Sequence, residues 1–458
     1  MRINPQIFRE YDIRGIVGKD LTAEIVEILG KSYGTYLISK GGKKVSVGRD
    51  NRLSSPKFKS ALIGGILSTG CDVIDIGLVP TPVMYFSLFN LDVDGGIVVT
   101  GSHNPPNFNG FKIAVGKTTI YGDQIMELRK IIDEDEFISG KGTLYHQNII
   151  DDYTEYIEDR IDLERKIKVV IDAGSGTAGI IAPKLLREIG CEVIELYCEP
   201  DGTYPHHHPD PTVVEFVQDL IKKVKEERAD LGIAYDGDAD RIGVIDDNGN
   251  IIWGDQLLIL FSRDILKKKK EKIIFEVKCS QALVDEIKKA GGEPIMWKTG
   301  HSLIKDKMIE EKAALAGEMS GHLFFADNYY GYDDAIFASC RLAELLSKSD
   351  KTISEMLSDV PKYFSTPEIR VDCPDENKFE IVNDIKKYFK KDYETIDVDG
   401  VRILFDDGWG LVRASNTQPA IVLRFEGKTE ESLENIKNKI LEKLGKYPLI
   451  SIPTNIYY

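Results

Sequence analysis

KVSVGRDNRLSSPKFKSALIGGILSTGCDVIDIG, residues 44–77, runs through an apolar β-branched strand, a polar turn, a helical stretch, a glycine and a second strand. The same order recurs in IKVVIDAGSGTAGIIAPKLLREIGCEVIELY (167–197) and in KIIFEVKCSQALVDEIKKAGGEPIMWKTG (272–300). Turn-bounded apolar strands joined by a helix predict buried parallel strands with a helical crossover. Gly70, Gly190 and Gly291 stand where each helix would close in a left-handed residue. A spacing of roughly 100 to 120 residues is too long for a solenoid and predicts three related α/β domains in series. Open α/β folds bind ligands at the carboxyl ends of strands, which here means the turns at Gly48-Arg49-Asp50, Asp172-Ala173-Gly174 and Val277-Lys278-Cys279.

Beyond about residue 362 the pattern reads helix, strand, turn, strand, turn, strand, helix, with GVRILFDDGWGLVRAS (400–415) as a hairpin. The expected architecture is therefore α/β, with three related domains and a C-terminal α+β domain. The cuts are predicted at 1–148, 149–250, 251–362 and 363–458.

Composition excludes some classes of function. The 458 residues are 42% hydrophobic and 29% charged, with a formal net charge of −16. That balance argues against nucleic acid or an anionic membrane as partner, but a few cations in a cleft can still bind an anionic substrate. The N-terminal residues have no apolar core of signal-peptide type, and the six cysteines form no C-x-x-C pair. A cytoplasmic protein with reduced, packed thiols is expected. The lysine runs LKKKKEK and KNKILEK read as solvated helix faces.

Four polar clusters interrupt the strand-and-helix rhythm. In TGSHNPPNFNGFKI (100–113) a serine, Ser102, follows a strand directly, with His103 beside it and Lys112 ten residues on. This is either an Asn/Pro-rich surface turn or a nucleophilic, phosphate-carrying serine. It is not a G-x-S-x-G elbow, because Thr100 and Asn104 occupy the outer positions. AYDGDADRIGVIDDNG (234–249) alternates Asp236, Asp238 and Asp240. Such crowded carboxylates repel unless a cation lies between them, and hard oxygens favour Mg²⁺ or Ca²⁺. An EF-hand fails on its sixth and twelfth positions, Arg241 and Asp247. In LAGEMSGHLF (315–324), Glu318, Ser320 and His322 would share one face of an extended segment and suit sugar hydroxyls, or form a buried polar trio. In GLVRASNTQPAIVLRFEG (410–427), Arg413, Ser415, Asn416 and Thr417 fit a phosphate monoester, or a hydrogen-bonded turn.

Taken in order, TGSHNPPNFNGFKI, DGDADRIGVID, GEMSGH and RASNTQPAIVLRFEG resemble the α-D-phosphohexomutase superfamily, and within it the phosphomannomutase/phosphoglucomutase branch. FREYDIRG, VKCS and KTGHSLIK extend the resemblance over the whole chain. It implies four domains around a central cleft and a phosphoserine at Ser102. It also implies one Mg²⁺ held by Asp236, Asp238, Asp240 and an oxygen on Ser102. Arg14, Lys112 and Arg241 match residues near the transferring group, and Lys112 or His103 could handle a proton. Glu318 and Ser320 would grip sugar hydroxyls, with His322 assisting proton transfer or touching the ring. Lys278, His301 and Tyr11 would line the substrate cleft, and Arg413, Ser415, Asn416 and Thr417 would hold the non-transferring phosphate. A hexose 1,6-bisphosphate would be the intermediate and activator.

Met319 and the RASNT segment lean towards glucose and mannose phosphates rather than glucosamine phosphate. Ala239 departs from the glycine found in many relatives. A metal-dependent sugar phosphatase and a non-catalytic sugar-phosphate binder are the alternatives. HHHPDP (206–211) reads as a structural or interdomain loop, and Asp255 as a helix cap. Oligomeric state is not legible.

Overall fold

The computed structural model describes residues 3–416 and 418–450, which form four sheets with helices packed against them. In the first sheet, Lys44–Arg49 lies parallel to both Asp72–Leu78 and Gly95–Val99. Gly95–Val99 then reverses into the antiparallel strand Phe108–Val115. The second sheet repeats this plan. Lys168–Asp172 is parallel to Glu192–Leu196 and Leu231–Tyr235, and the latter reverses into Ile242–Ile245. In the third, Lys272–Glu276 is parallel to Glu293–Trp297 and Leu315–Gly317, which reverses into Leu323–Phe325. The threefold repeat and its parallel strands are thus as expected, and each of these sheets is mixed through one strand that reverses. Gly70, Gly190 and Gly291 adopt φ of +96°, +106° and +84°, a region that costs a residue with a Cβ but not glycine.

The C-terminal unit is antiparallel at its centre, where Val401–Phe405, Gly408–Ala414 and Ala420–Gly427 form a meander between the helices Asp375–Phe389 and Glu430–Leu444. It begins with strands rather than the predicted helix: Phe364–Ser365 and Ile369–Asp372 both pair with Ala420–Gly427. Only Val371 of Ile369–Asp372 is buried, so the apolar alternation that announces a strand is missing.

One apolar core runs without a break from the helix Thr81–Asn90 through the second unit to the helix Ala335–Ser347. The C-terminal unit has a separate core, joined to the third unit through a small cluster of Val277, Trp409 and Leu411. All six cysteines are buried and free. Lys267–Lys270 are solvated as expected, but Lys437 is buried, with its ammonium on Glu434. Among the described residues no helix is long and apolar enough to cross a membrane.

Candidate active site

Each polar cluster falls where a parallel strand, or its counterpart in the last unit, turns back on itself. The reversals at 100–107, 236–241, 318–322 and 415–419 come from four different sheets. All four, with the Lys278 and Gly300 turns, wall a cleft of about 870 Å³, the second through Arg241, while its Asp236, Asp238 and Asp240 lie buried behind the wall. The strand-to-helix turns flagged in the sequence contribute little to the wall: only Lys278 among those nine residues lines it.

Ser102 is buried at φ +47°, a left-handed conformation that costs a serine about 1–2 kcal/mol. Its Oγ donates to Asp236 Oδ2 at 2.7 Å and lies 3.1 Å from His103 Nδ1. Asp238 Oδ2 accepts from Thr81 Oγ1 at 2.6 Å, Thr100 Oγ1 at 3.0 Å and Lys112 Nζ at 2.8 Å. Lys112 also donates to Asp240 Oδ2. Burial alone would discharge this lysine, but Asp238 and Asp240 hold its pKa above the usual value. Burial likewise opposes a charge on Asp238, yet Lys112 keeps it well below the ordinary carboxylate range. Burial, then Asp238 and Asp240, push Asp236 well up. Burial, and then Arg241, Arg14 and Lys112, drive the His103 pKa well below its usual value.

The three aspartates each offer a carboxylate oxygen within 4.8 Å of the others. Asp238 Oδ1 and Asp240 Oδ1 are buried without a hydrogen-bond partner. Orphaned carboxylate oxygens converging beside a hydroxyl are a donor set for a hard divalent cation.

Around this centre, Arg14 Nη1 donates to Asn104 Oδ1 at 2.9 Å while its Nε is held by Asp12. Arg241 Nε donates to His322 Nε2 at 2.9 Å. The proton of that imidazole is therefore on Nδ1, 3.1 Å from Asp333 Oδ2. Glu318 accepts from the Gly300 amide at 2.8 Å, and Tyr11 meets His301 edge-on at 5.4 Å between ring centres. Glu318, Ser320 and His322 all reach the cleft, but not on an extended segment. The Glu318 amide bonds the His322 carbonyl in a tight turn, and this turn brings the side chains together. Lys278 Nζ pairs with Glu368 at 2.9 Å and Arg413 Nε with Asp399 at 2.9 Å. Ser415 and Asn416 complete that wall, while Thr417 lies outside the described residues.

Family models for phosphoglucomutase/phosphomannomutase match the chain in succession: α/β/α domain I at residues 5–139, domain II at 151–249, domain III at 253–364 and the C-terminal domain at 368–443. The chain belongs to the phosphoglucomutase/phosphomannomutase family. It is 48% identical to a phosphomannomutase/phosphoglucomutase of Pseudomonas aeruginosa, covering 96% of this chain and 95% of the relative. A phosphoglucomutase of Neisseria meningitidis is 43% identical over 98% of each chain. The crystal structure of a phosphoglucomutase/phosphomannomutase family protein from Burkholderia thailandensis superposes with a TM-score of 0.92 at 42% identity, covering 97% of this chain and 98% of that one.

Several residues that hold this phosphohexomutase-family site together carry no motif of their own. Arg52 is fully buried against the Ser102 loop, Asp333 faces His322, and Lys305 Nζ donates to Asp333 at 2.9 Å. Arg424 reaches the cleft from the strand Ala420–Gly427 and bonds the Lys278 carbonyl at 2.5 Å. Buried charge predicts such roles, and burial was not visible in the sequence. Asp255 does not cap its helix. Trp253 takes the cap position, and Asp255 sits in the first turn, accepting from the Ser280 amide at 3.0 Å.

Proposed function

We propose that this protein reversibly converts hexose 1-phosphates and 6-phosphates of glucose and mannose through a phosphorylated Ser102. The observation that carries this reading is the meeting, at one cleft, of a strained buried serine, the three carboxylates buried behind it and an arginine-bearing loop from a separate domain. Each of the four loops belongs to its own unit, with cuts at 148, 250 and 362.

In the first transfer a sugar hydroxyl oxygen bonds to the phosphorus on Ser102 as the P–Oγ bond breaks, giving a hexose 1,6-bisphosphate. The hydroxyl proton passes to a base, and the unprotonated Nε2 of His322 has the lone pair for it once substrate displaces Arg241. Arg14, Lys112 and Arg241 stabilise the charge on the transferring oxygens. The bisphosphate turns round, and its other phosphate returns to Ser102. Asp236, Asp238 and Asp240, with an oxygen on Ser102, would hold a divalent cation, for which Mg²⁺ is our choice. When bound, that cation neutralises charge on the phosphoryl group. Arg413, Ser415, Asn416 and Thr417 grip the phosphate that is not transferring, in either orientation of the sugar, and Glu318 and Ser320 hold the ring hydroxyls. A cytoplasmic setting suits six buried free thiols.

The test is phosphorus NMR of the protein with Mg²⁺, mannose or glucose 1-phosphate and a trace of the hexose 1,6-bisphosphate. A 6-phosphate product that vanishes in Ser102→Ala is expected. Inorganic phosphate as the main product would replace the mutase with a phosphatase, and no turnover of any sugar would leave a binder.

A further inference from the structure

The HHHPDP stretch contributes no side chain to the chemistry above, yet it lies against the loop that carries Ser102. Residues 100–107 have no strand partner, so their carbonyls need other donors. Arg52 donates to three of them and to that of Phe108, while backbone amides reach Gly101 and Asn107. Its Nη2 donates to the carbonyls of Ser102 at 2.8 Å and Asn104 at 2.5 Å, and its Nη1 to those of Pro105 at 2.6 Å and Phe108 at 3.0 Å. The one carbonyl this guanidinium leaves between Ser102 and Pro105 belongs to His103, and His208 Nε2 bonds it from the second unit. A carbonyl only accepts, so His208 carries its proton on Nε2.

The rest of the segment fixes His208 in turn. His207 Nδ1 bonds the His208 carbonyl at 3.0 Å while its Nε2 bonds Asp172 Oδ2 at 3.0 Å. The Tyr204 ring lies against the Arg52 guanidinium, 5.5 Å from its centre. Pro209 packs between the Gly174 turn and the carboxylate loop at Gly237, which itself lies against the Ser102 carbonyl. A Cβ built on Gly174 would come within 2.9 Å of it, and one built on Gly237 within 3.4 Å of it and 2.5 Å of the Ser102 carbonyl. The three histidines diverge instead of converging on an ion, because His206 turns away to stack on Tyr197 at 4.0 Å.

We propose that residues 201–211 form a strap from the second domain that holds the Ser102 loop in its left-handed conformation, with His208 as a positioning residue for phosphoryl transfer through its Nε2–H bond to the His103 carbonyl. The proposal rests on the mutase reading for its kinetic consequence and on the geometry alone for its structural one. A serine held in a strained conformation relaxes when one of its restraints is removed, and an error of about 1 Å in a reacting atom can cost up to ~10²-fold in rate.

Glutamine presents an amide nitrogen near the place of His Nε2, and asparagine near that of Nδ1, which makes the pair a test. His208→Asn is expected to lower kcat for glucose 1-phosphate by about tenfold or more with KM within about twofold, the loss of one hydrogen bond of ~1.4 kcal/mol. Hydrogen exchange in peptides covering 100–108 is expected to accelerate in the same variant, and His208→Gln to restore both. Equal impairment by Asn and Gln, or a KM change at constant kcat, would overturn the proposal, as would a kcat within twofold of wild type with unchanged exchange. Should the wild-type protein turn over no hexose phosphate, the mutase reading fails on its own, and the exchange comparison still decides the strap.

Discussion

The loops at 100–107 and 415–419 both join antiparallel strands and both face the cleft, yet they are held in opposite ways. The Ser102 loop is restrained across a domain boundary: Arg52 and Asp50 grip it from its own sheet, and His208 and Gly237 press on it from the next. Ser415 and Gln418 are gripped from inside their own unit. Lys378 Nζ, on the helix Asp375–Phe389, donates to the carbonyls of Ser415 at 2.5 Å and Gln418 at 3.0 Å. That unit also has its own core. Under the proposed function, the serine that reacts is thus fixed relative to the carboxylates, whereas the grip on the other phosphate is built on a unit with its own core. The proposed bisphosphate, turning round in the cleft, would use this division: one end of the site stays fixed, and the other releases and takes hold again.

Arg52 gives the largest way to break the contrast. Arg52→Met leaves four carbonyls and the buried Asp50 carboxylate without their cation. A stability loss of about 3–5 kcal/mol is expected by urea unfolding, with kcat down by ~10²-fold or more. Lys378→Met is the matched change on the other side. It removes the ammonium from two carbonyls and from Asp375. Here KM is expected to rise about tenfold with kcat little altered, because the interaction serves ground state and transition state alike; a large kcat effect at constant KM would erase the distinction.

A smaller effect comes from pH. His207 is half-buried, which opposes its charge, but Asp172 with help from the His208 carbonyl and Asp219 raises its pKa above 6.5. The folded value thus lies above the unfolded one, so the stabilisation is complete below about 6.5 and fades as pH rises through the folded value. The urea midpoint lost by His207→Gln should be greatest near pH 6 and shrink towards pH 9. The smallest change is Ala239→Gly. Ala239 stands at φ +60° in the carboxylate loop, with its methyl buried. Release of about 1 kcal/mol of strain is offset by glycine's greater freedom in the unfolded chain. Stability within about 1 kcal/mol of wild type by the same urea assay is expected.

The threefold repeat was legible because its strands are short apolar runs and its helices end in glycine, signals that depend only on local periodicity. The Ser102, Asp236–Asp240 and Arg413 clusters were legible because polar residues crowd where strand patterning stops. Arg52 and Asp333 were not. Arg52 in GRDNRLSS looks like any surface residue, and only folding turns it inward against a loop fifty residues away. The same holds for the geometry of Glu318, Ser320 and His322, where a tight turn replaces the predicted extended segment.

The sequence by itself determined the α/β repeat, the order of the four polar clusters and the membership of a family, since each is written in local pattern and spacing. The tertiary structure alone decided that every cluster sits at the corresponding reversal of its sheet and that the three histidines of 206–208 part company, only His208 reaching across to the Ser102 loop. Hydrogen bonds and buried charges are satisfied by whatever the fold brings near, and nearness in space leaves no trace in a pattern that runs along the chain.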